Sequence, residues 1–380
     1  MSPLDVALVV VGLVVLVAGG EGLVRGASAI AHRFGLSQLV IGLTIVAVAT
    51  SSPEFAVSVG AVLRGEPEIA VGNVVGSNIA NILLILGVSA LILPLVAKRR
   101  LVKADVPVMV VLSLLLLLLA LDGTVSRWDG LLLLVLFLSH LVWAVLTGRS
   151  TEEEESGSAD TPAPPGLGRA VLLVLGGVGL LVLGAQWLVS GASAIASDLG
   201  LSNLVIGLTV VAVGTSLPEL TASVIAVRKG ERDLAVGNIV GSNIANIGLV
   251  LGLPAILKAE GIPVPGAALA LDIPLMIAAA LALLPIAFTG FVIARWEGGL
   301  FVALYGSYVA YLVLWATEHD ALAGFTTLMS VFVLPIVGLS ILLLVAYEVR
   351  VRTLSRGPRR LRRAPRWWQR QPARGPDPGS

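Results

Sequence analysis

The chain has 380 residues, of which 57% are hydrophobic and only 13% are charged, and its formal net charge is +1. A soluble domain of this length carries about twice that charged fraction, so the composition excludes an ordinary soluble globular protein. The chain has no cysteine, which excludes disulfides, thiol catalysis and cysteine-based metal sites.

Apolar runs in the first 147 residues predict five membrane-crossing helices, near 4–24, 36–63, 69–96, 105–121 and 129–147. The residues before the first run lack the basic start of a secretory signal, so we expect this run to remain as a helix. The runs contain few polar residues, and helices of such length cross about 30 Å of hydrocarbon. Because they are continuous rather than alternating, they favour helices over a barrel.

A predicted acidic linker follows at 148–168, where Glu152–Glu155 precede Ser, Gly and Pro residues. This composition is typical of a disordered cytoplasmic connection. A regulatory Ca²⁺ site at the four glutamates is the alternative, which we disfavour because a flexible run holds no fixed cage of oxygen ligands.

Five further apolar runs lie near 169–190, 201–228, 234–257, 266–290 and 297–316. Gly35–Ala90 aligns without gaps onto Gly200–Ala255, 165 residues later, with 38 of 56 residues identical. The sequence therefore predicts two homologous repeats, 1–147 and 169–316. Since each repeat has an odd number of crossings, the second enters from the opposite side of the membrane, as in inverted-repeat transporters.

The C-terminal part, 317–349, contains one more predicted helix near 325–347, and 350–380 form a basic tail. With the N-terminus outside, twelve Lys and Arg residues fall in cytoplasmic loops and three in outer loops, and the cytoplasmic tail adds ten. This bias predicts a multi-pass protein of the cell (plasma or inner) membrane. The tail either lies on anionic headgroups or is plainly disordered.

The predicted fold class follows from these runs and from the repeat. We expect an all-α polytopic membrane protein with about eleven transmembrane helices. These helices form two inverted-topology five-helix repeats and an extra C-terminal helix.

Two polar clusters interrupt the apolar helices of each repeat. The first reads Ala-Thr-Ser-Ser-Pro-Glu at 49–54 and Gly-Thr-Ser-Leu-Pro-Glu at 214–219. An ionised Glu54 or Glu219 near the middle of the bilayer costs at least about 2.5 kcal/mol, which a bound cation offsets. A buried, neutral glutamic acid is the alternative, but it leaves the neighbouring proline and the duplicated hydroxyls unexplained.

The prolines of this cluster predict bent or broken helices. Pro53 and Pro218 have no N–H, so the carbonyls of Ala49 and Gly214 lose their helical partners. We therefore expect free carbonyl oxygens that face the interior of the protein at both breaks.

Hydroxyl and amide side chains accompany the two glutamates. The second cluster, Gly-Asn-x-x-Gly-Ser-Asn-x-x-Asn, spans 72–81 and 237–246. The candidate ligands besides the glutamates are Thr50, Ser51, Ser77, Asn81 and their equivalents Thr215, Ser216, Ser242 and Asn246. Oxygen ligands without His or Cys suit a hard cation such as Ca²⁺, which takes about six to eight oxygens.

Other polar residues have simpler interpretations. Asp105 and Asp272 each precede a proline by two residues and are predicted helix caps. The three histidines are isolated in the sequence, so we assign them no proton relay. Packing and a role in the site remain equally open for Asn73, Asn78, Asn238 and Asn243.

At these motifs the chain resembles the cation/Ca²⁺ antiporter superfamily, and within it the prokaryotic Na⁺/Ca²⁺ exchanger branch. The resemblance covers 35–90 and 200–255. It implies that Ca²⁺ is bound by Glu54, Glu219, Thr50, Thr215 and the backbone carbonyls of Ala47 and Ala212. It implies flanking Na⁺ sites, with Asn81 and Asn246 in the middle, completed by Ser51, Ser77, Ser216 and Ser242. Some relatives have Asp where this chain has Asn246, which leaves the coupling ion open.

The resemblance also implies that glycine-rich stretches let the first and sixth helices slide past the others. The glycines concerned are Gly19, Gly20, Gly26, Gly184 and Gly191. Close static packing is the alternative interpretation of these residues.

We therefore expect a secondary antiporter that exchanges Ca²⁺ for Na⁺ by alternating access at a midplane site. The two ions are its expected substrates, and the lipid bilayer is its environment. Ca²⁺/H⁺ antiport on the same scaffold is the alternative, and a passive cation channel is a less favoured one. We expect no enzymatic activity, no cofactor, no nucleic-acid partner and no obligate protein partner.

Overall fold

The computed structural model describes residues 2–148, 165–200, 202–288 and 291–339, together with Ala346 and Arg350. Most of the predicted acidic linker lies outside the described residues. The same is true of the predicted basic tail apart from Arg350, and of most of the predicted last helix beyond residue 339.

Residues 2–148 form six helices and two short strands. The helices are α1 Pro3–Phe34, α2 Gln38–Thr50, α3 Ser52–Leu63, α4 Glu68–Ile92, α5 Leu101–Asp122 and α6 Arg127–Thr147. The strands are β1 Leu95–Val96 and β2 Thr124–Val125. Reciprocal hydrogen bonds between Ser126 and Asp129 cap the start of α6, where four N–H groups lack a helical partner.

The second half repeats this order. Its helices are α7 Leu167–Asp198, α8 203–215, α9 Leu217–Arg228, α10 Arg232–Leu257, α11 268–288 and α12 Arg295–Ala316. Its strands are β3 Ile262–Pro263 and β4 Val292–Ile293. A further helix, α13 Ala321–Leu339, follows α12.

Eight helices among the described residues are long and apolar enough to cross a membrane: α1, α4, α5, α6, α7, α10, α12 and α13. The pair α2 and α3, bent by 42°, makes a ninth span if it is counted as one. The protein is therefore an all-α polytopic membrane protein, as the sequence predicts. The predicted number of eleven also requires α8–α9 and α11 to cross, and it stays a prediction.

The helices α1 and α7 extend well beyond the predicted ends at residues 24 and 190. Arg25 lies inside α1, where its guanidinium is 3.0 Å from the carboxylate of Glu21, one turn earlier. Phe34 ends the helix because Gly35 adopts a left-handed conformation, with φ of 59°, that glycine tolerates without steric cost. The predicted end of α1 at residue 24 is therefore about ten residues too early.

Glycines bring the backbones of α1 and α7 into direct contact. A Cβ atom on Gly19 would lie 2.7 Å from the backbone N of Leu181 and 2.8 Å from the carbonyl O of Gly177. A Cβ atom on Gly12 would lie 2.8 Å from the carbonyl O of Gly184. Because contacts advance along α1 as they retreat along α7, the two helices are antiparallel. We call this contact the glycine seam.

The seam changes the interpretation of the predicted sliding glycines. Four of the five pack against the partner helix of the pair, namely Gly19, Gly26, Gly184 and Gly191. Gly20 instead faces Ile225 and Thr221 of α9. The structure therefore favours close packing within the α1–α7 pair at these four positions, because no Cβ fits between the backbones.

Other contacts between the halves occur in reciprocal pairs. Strand β1 pairs with β4 and β2 pairs with β3, both antiparallel. Gly87 of α4 packs on Gly298 of α12, and Gly130 of α6 packs on Gly252 of α10. With α10 as the counterpart of α4 and α12 as the counterpart of α6, the contact between α4 and α12 is equivalent to the contact between α10 and α6. These contacts support the inverted repeat, which itself remains a prediction.

Two polar contacts fasten α1 to the connection between α9 and α10. Lys229 Nζ lies 2.9 Å from Glu21 Oε2, and Ser28 donates a 2.7 Å hydrogen bond to Glu231 Oε2. Burial raises the pKa of Glu231, and the hydrogen bond from Ser28 and the charge of Lys229 offset only part of this rise. The turn after α3 lies towards the opposite end of α1, because Arg64 shares a cavity with the part of α7 that packs on the beginning of α1.

Candidate ion-binding site

Two helix breaks place the duplicated glutamates inside the protein. The chain bends at Ser51, between α2 and α3, and Pro53 lies in the first turn of α3. The equivalent break is at Ser216, with Pro218 in the first turn of α9. Glu54 and Glu219 are thus both in a first helical turn, where free N–H groups and the helix dipole favour a negative charge.

The carboxyl groups of Glu54 and Glu219 are fully buried, each with 0% exposure, and they lie within electrostatic range of each other. Ser51, from the break of the first half, donates a 3.4 Å hydrogen bond to Glu219 Oε1 in the second. The two motifs, which are 165 residues apart in sequence, therefore meet at one place in the core, and neither carboxyl faces lipid.

The expected free carbonyl of Ala49 is instead hydrogen-bonded. Ser52 Oγ donates to this oxygen at 2.6 Å, so the hydroxyl beside the proline replaces the missing helical N–H. The expectation of a free carbonyl here was wrong. The carbonyl oxygen of Ala47, two residues earlier, lies among hydroxyls, 3.3 Å from Thr50 Oγ1 and 3.5 Å from Ser242 Oγ.

The remaining candidate side chains come from α4, α10 and the last turns of α2 and α8. Thr50 Oγ1 donates to Asn238 Oδ1 at 3.1 Å and lies 3.4 Å from Ser242 Oγ, which joins α2 to α10. The last turn of α8, which holds Ala212 and Thr215, packs against α4. The buried polar candidates on α4 and α10 are Ser77, Asn81, Ser242 and Asn246.

Six buried oxygen atoms at this place have no hydrogen-bond partner among the described residues. They are Glu54 Oε1 and Oε2, Glu219 Oε2, Ser216 Oγ, Asn81 Oδ1 and Asn246 Oδ1. Leaving one such oxygen buried and unsatisfied costs about 1–3 kcal/mol, and more if it is charged. A set of this kind is therefore chemically suited to a hard cation, which takes six to eight oxygens.

Two asparagines, whose role the sequence left open, hold the helix breaks. Asn73 Nδ2 donates at 2.9 Å to both the backbone carbonyl of Glu54 and Ser58 Oγ. Asn238 Nδ2 donates to Ser223 Oγ at 3.0 Å and, more weakly, to the carbonyl of Glu219 at 3.5 Å. Each amide thus ties α4 or α10 to the turn that carries a glutamate.

Replacing Asn73 with Ala is expected to destabilise the protein, because it leaves the Glu54 carbonyl and the Ser58 hydroxyl without their donor. The expected loss in unfolding free energy is about 1–3 kcal/mol, measured by thermal unfolding in detergent. Thr44→Val is the matched control, since Thr44 is buried but bonds only within its own helix, to Val40. Equal melting temperatures for the two variants would contradict a tie between helices.

Two aspartates predicted as helix caps have partners on neighbouring helices. Asp105 makes no capping hydrogen bond, and its carboxylate lies 3.5 Å from His140 Nε2 and 3.9 Å from Arg100 Nε. Asp272 accepts a 3.0 Å hydrogen bond from the Tyr308 hydroxyl. His140 is therefore not isolated. When α6 is aligned with α12 at an offset of 168 residues, His140 pairs with Tyr308. A polar side chain at the same position of both helices could have indicated a shared role beside the equivalent aspartates.

A cavity of about 450 Å³ adjoins the site between α3, α7 and the break after α8. Its lining includes Pro53 and Thr215 at the breaks, Gln186 of α7, and Arg64 at the end of α3. The cavity therefore extends from the helix breaks towards the end of the bundle that carries the turn after α3.

Comparison with known sequences gives a family match over most of the chain. The profile of the family described as Sodium/calcium exchanger protein matches residues 4–146 and 169–314. The two matched regions correspond to the two predicted repeats, and they omit the acidic linker.

Individual relatives and solved structures agree with this match. The Putative antiporter CaxA of Alkalimonas amylolytica is 44% identical over 73% of this chain and 87% of its own length. The Sodium/calcium exchanger MaX1 of Methanosarcina acetivorans is 34% identical over 83% of this chain and 99% of its own. A structure of the sodium–calcium exchanger NCX_Mj superposes with a TM-score of 0.71 at 35% identity, and it covers 82% of this chain and 100% of NCX_Mj.

Proposed function

The chain belongs to the sodium/calcium exchanger family, and from this premise we propose that it exchanges Ca²⁺ for Na⁺ by alternating access to one site between the two helix breaks. The observation that carries the proposal is the set of six buried oxygens without hydrogen-bond partners among the described residues. Two of these oxygens belong to Glu54 and one to Glu219, so a cation of charge +2 neutralises both side chains.

The proposed Ca²⁺ ligands follow the duplicated motif. They are Glu54, Glu219, Thr50, Thr215 and the carbonyls of Ala47 and Ala212. The proposed flanking Na⁺ sites add Ser51, Ser77, Ser216 and Ser242, with Asn81 and Asn246 between them. Because these Na⁺ sites share the two carboxylates with the Ca²⁺ site, the ions compete, and the protein binds either Ca²⁺ or Na⁺ at one time.

Exchange requires that the protein change sides only when the carboxylates are neutralised. An empty pair of buried carboxylates is costly to carry through a closed state, because charges in low-dielectric surroundings are expensive. The loaded site is neutral with Ca²⁺, or with Na⁺ ions in sufficient number, and can be closed off from both sides. This coupling makes the protein an antiporter rather than a channel.

The alternating movement is supported by the contrast between the two ends of the bundle. The 450 Å³ cavity lies between the breaks and the turn after α3. At the other end, Lys229 and Ser28 fasten α1 to the connection between α9 and α10. We propose that α1 and α7 move as one unit, held by the glycine seam, and that these two contacts open when the site changes sides.

The proposed orientation places the N-terminus outside the cell membrane and the C-terminus in the cytoplasm. The charge distribution of the sequence supports it, because basic residues are retained on the cytoplasmic side. The Lys229 end of the bundle is then cytoplasmic, and the cavity beside Arg64 faces outwards.

Purified protein in liposomes is expected to take up Ca²⁺ when a Na⁺ gradient is imposed and to stop when the gradient is collapsed. The measurement is uptake of radioactive Ca²⁺ into vesicles with a Na⁺ gradient, a pH gradient or neither. Uptake driven by the pH gradient and insensitive to Na⁺ would replace the proposal with Ca²⁺/H⁺ antiport. Flux that needs no counter-ion would indicate a channel.

A further inference from the structure

Two methionines, which are not among the proposed ligands, contact asparagines at the centre of the candidate site. Met109 of α5 and Met276 of α11 occupy equivalent positions and are both buried, with 1% exposure each. Asn243 Nδ2 donates to Met109 Sδ at 3.4 Å, and Asn78 Nδ2 donates to Met276 Sδ at 3.5 Å. A sulfur atom thus faces an amide of the Gly-Ser-Asn motif in each half.

Each methionine begins a chain of hydrogen bonds that crosses between the halves. From Met109 the chain runs through Asn243, whose Oδ1 accepts a 3.2 Å hydrogen bond from Asn81 Nδ2. From Met276 it runs through Asn78, whose Oδ1 accepts a 3.1 Å hydrogen bond from Asn246 Nδ2. Each chain ends at an oxygen, Asn81 Oδ1 or Asn246 Oδ1, that has no hydrogen-bond partner in the described part of the protein.

The thioether sulfur determines which atom of each amide donates and which accepts along these chains. A thioether accepts a hydrogen bond but has no hydrogen to donate, so the amide facing it must present its NH₂ group. The oxygen of that amide then faces the next asparagine, which must also present its NH₂ group. The second oxygen is left pointing away, into the site. Reversing either amide would place two acceptors against each other.

We propose that Met109 and Met276 are positioning residues, whose sulfur atoms orient the amide oxygens of Asn81 and Asn246 towards the transported cation. The proposal rests on the proposed function of the site. Without an acceptor at 109 or 276 the amides can turn, and a turned asparagine offers the cation an NH₂ group, which cannot bind it.

The two chains are not equally dependent on sulfur. Asn78 Nδ2 has a second acceptor, the backbone carbonyl of Asn243 at 3.3 Å, which also holds its orientation. No equivalent bond from Asn243 to the carbonyl of Asn78 is found among the hydrogen bonds of the described residues, so Met109 holds Asn243 with less help. The effect of losing sulfur is therefore expected to be larger at Met109 than at Met276.

The test compares Met109→Leu and Met276→Leu with Met329→Leu, a control in α13. Leucine keeps the buried volume while removing the acceptor. Binding of Ca²⁺ alone to the purified protein is measured by calorimetry, and folding by thermal unfolding without Ca²⁺. We expect affinity to fall about fivefold for Met109→Leu, about twofold for Met276→Leu, and not at all for the control.

A double substitution separates orientation from packing. In Asn81→Asp both terminal atoms are oxygens, so Asn243 must turn its NH₂ group towards the new carboxylate and its oxygen towards Met109. Adding Met109→Leu to Asn81→Asp relieves this conflict and is expected to leave the Ca²⁺ affinity unchanged or raise it. A packing role predicts the same fivefold loss in both backgrounds, which would overturn the inference.

The outcomes also distinguish this inference from the proposed function. Wild-type protein that binds no Ca²⁺ would overturn the proposed function and the inference with it. Wild-type protein that binds Ca²⁺ together with an equally tight Met109→Leu variant would overturn the inference alone.

Discussion

Replacement of Glu54 by Gln is expected to abolish Na⁺-driven Ca²⁺ uptake. The substitution removes half of the negative charge that faces the cation, so a bound Ca²⁺ keeps an excess positive charge inside the protein. Removing one partner from a buried charged set costs about 3–5 kcal/mol, so the Ca²⁺ affinity is expected to fall at least about hundredfold. The measurements are vesicle uptake and Ca²⁺ binding to the purified variant.

Glu297→Gln provides the matched control for this substitution. Glu297 is another buried glutamate in a membrane-crossing helix, but its Oε2 accepts a 2.7 Å hydrogen bond from the backbone N–H of Ala294 at the start of α12. A glutamine oxygen can accept the same bond, so transport should remain close to that of the wild type. Undiminished exchange in Glu54→Gln, or equal loss in both variants, would refute the assignment of Glu54 to the site.

The helices and the all-α class could be predicted because they depend on long-range averages of hydrophobicity. A run of apolar residues has one stable outcome in lipid, whatever its neighbours are. The ends of the helices depend instead on single contacts. Arg25 remains helical beside Glu21, and Gly35 supplies the left-handed turn that ends α1. Neither effect appears in a hydropathy average, which treats any charge as a boundary.

The meeting of Glu54 and Glu219 in the core could be predicted, because an ionised carboxylate in lipid is costly unless a partner offsets its charge. Two carboxylates at equivalent positions of a repeat point to one shared centre, and Glu54 and Glu219 do meet there. The partner of a polar group is harder to predict, because it is set by tertiary structure. Ser52 takes the carbonyl that Pro53 frees, so the proline produces the bend but not the expected free oxygen.

The symmetry of the two halves is imperfect at the places where the sequences differ. Leu217 replaces Ser52 at the second break, and Leu has no hydroxyl to donate to the carbonyl freed there. Tyr308 replaces His140 beside the equivalent aspartate. If the two halves exchange environments during transport, as we propose, such differences make the two end states unequal in energy.

Replacement of Gly177 by Ala is expected to destabilise the protein strongly by forcing α1 and α7 apart. A Cβ atom there would lie 2.5 Å from the backbone N of Leu23 and 2.7 Å from the carbonyl O of Gly19, and neither backbone atom can move alone. Overpacking of this kind costs about 1–3 kcal/mol, against a gain of about 1 kcal/mol in helix propensity. The expected results are a lower melting temperature in detergent and a loss of exchange.

Gly176→Ala and Gly179→Ala are the controls for this prediction, because they change the same helix within two residues of Gly177. No heavy atom of the described residues outside the helix lies within 4 Å of a Cβ atom at either position. These variants should therefore keep their transport and gain up to about 1 kcal/mol of stability from helix propensity. If all three variants behave alike, the glycines contribute only flexibility and the seam does not hold α1 and α7 as one unit. A loss confined to Gly177 would instead show that the two helices must touch along their backbones, so that any movement during exchange occurs between this pair and the remaining helices.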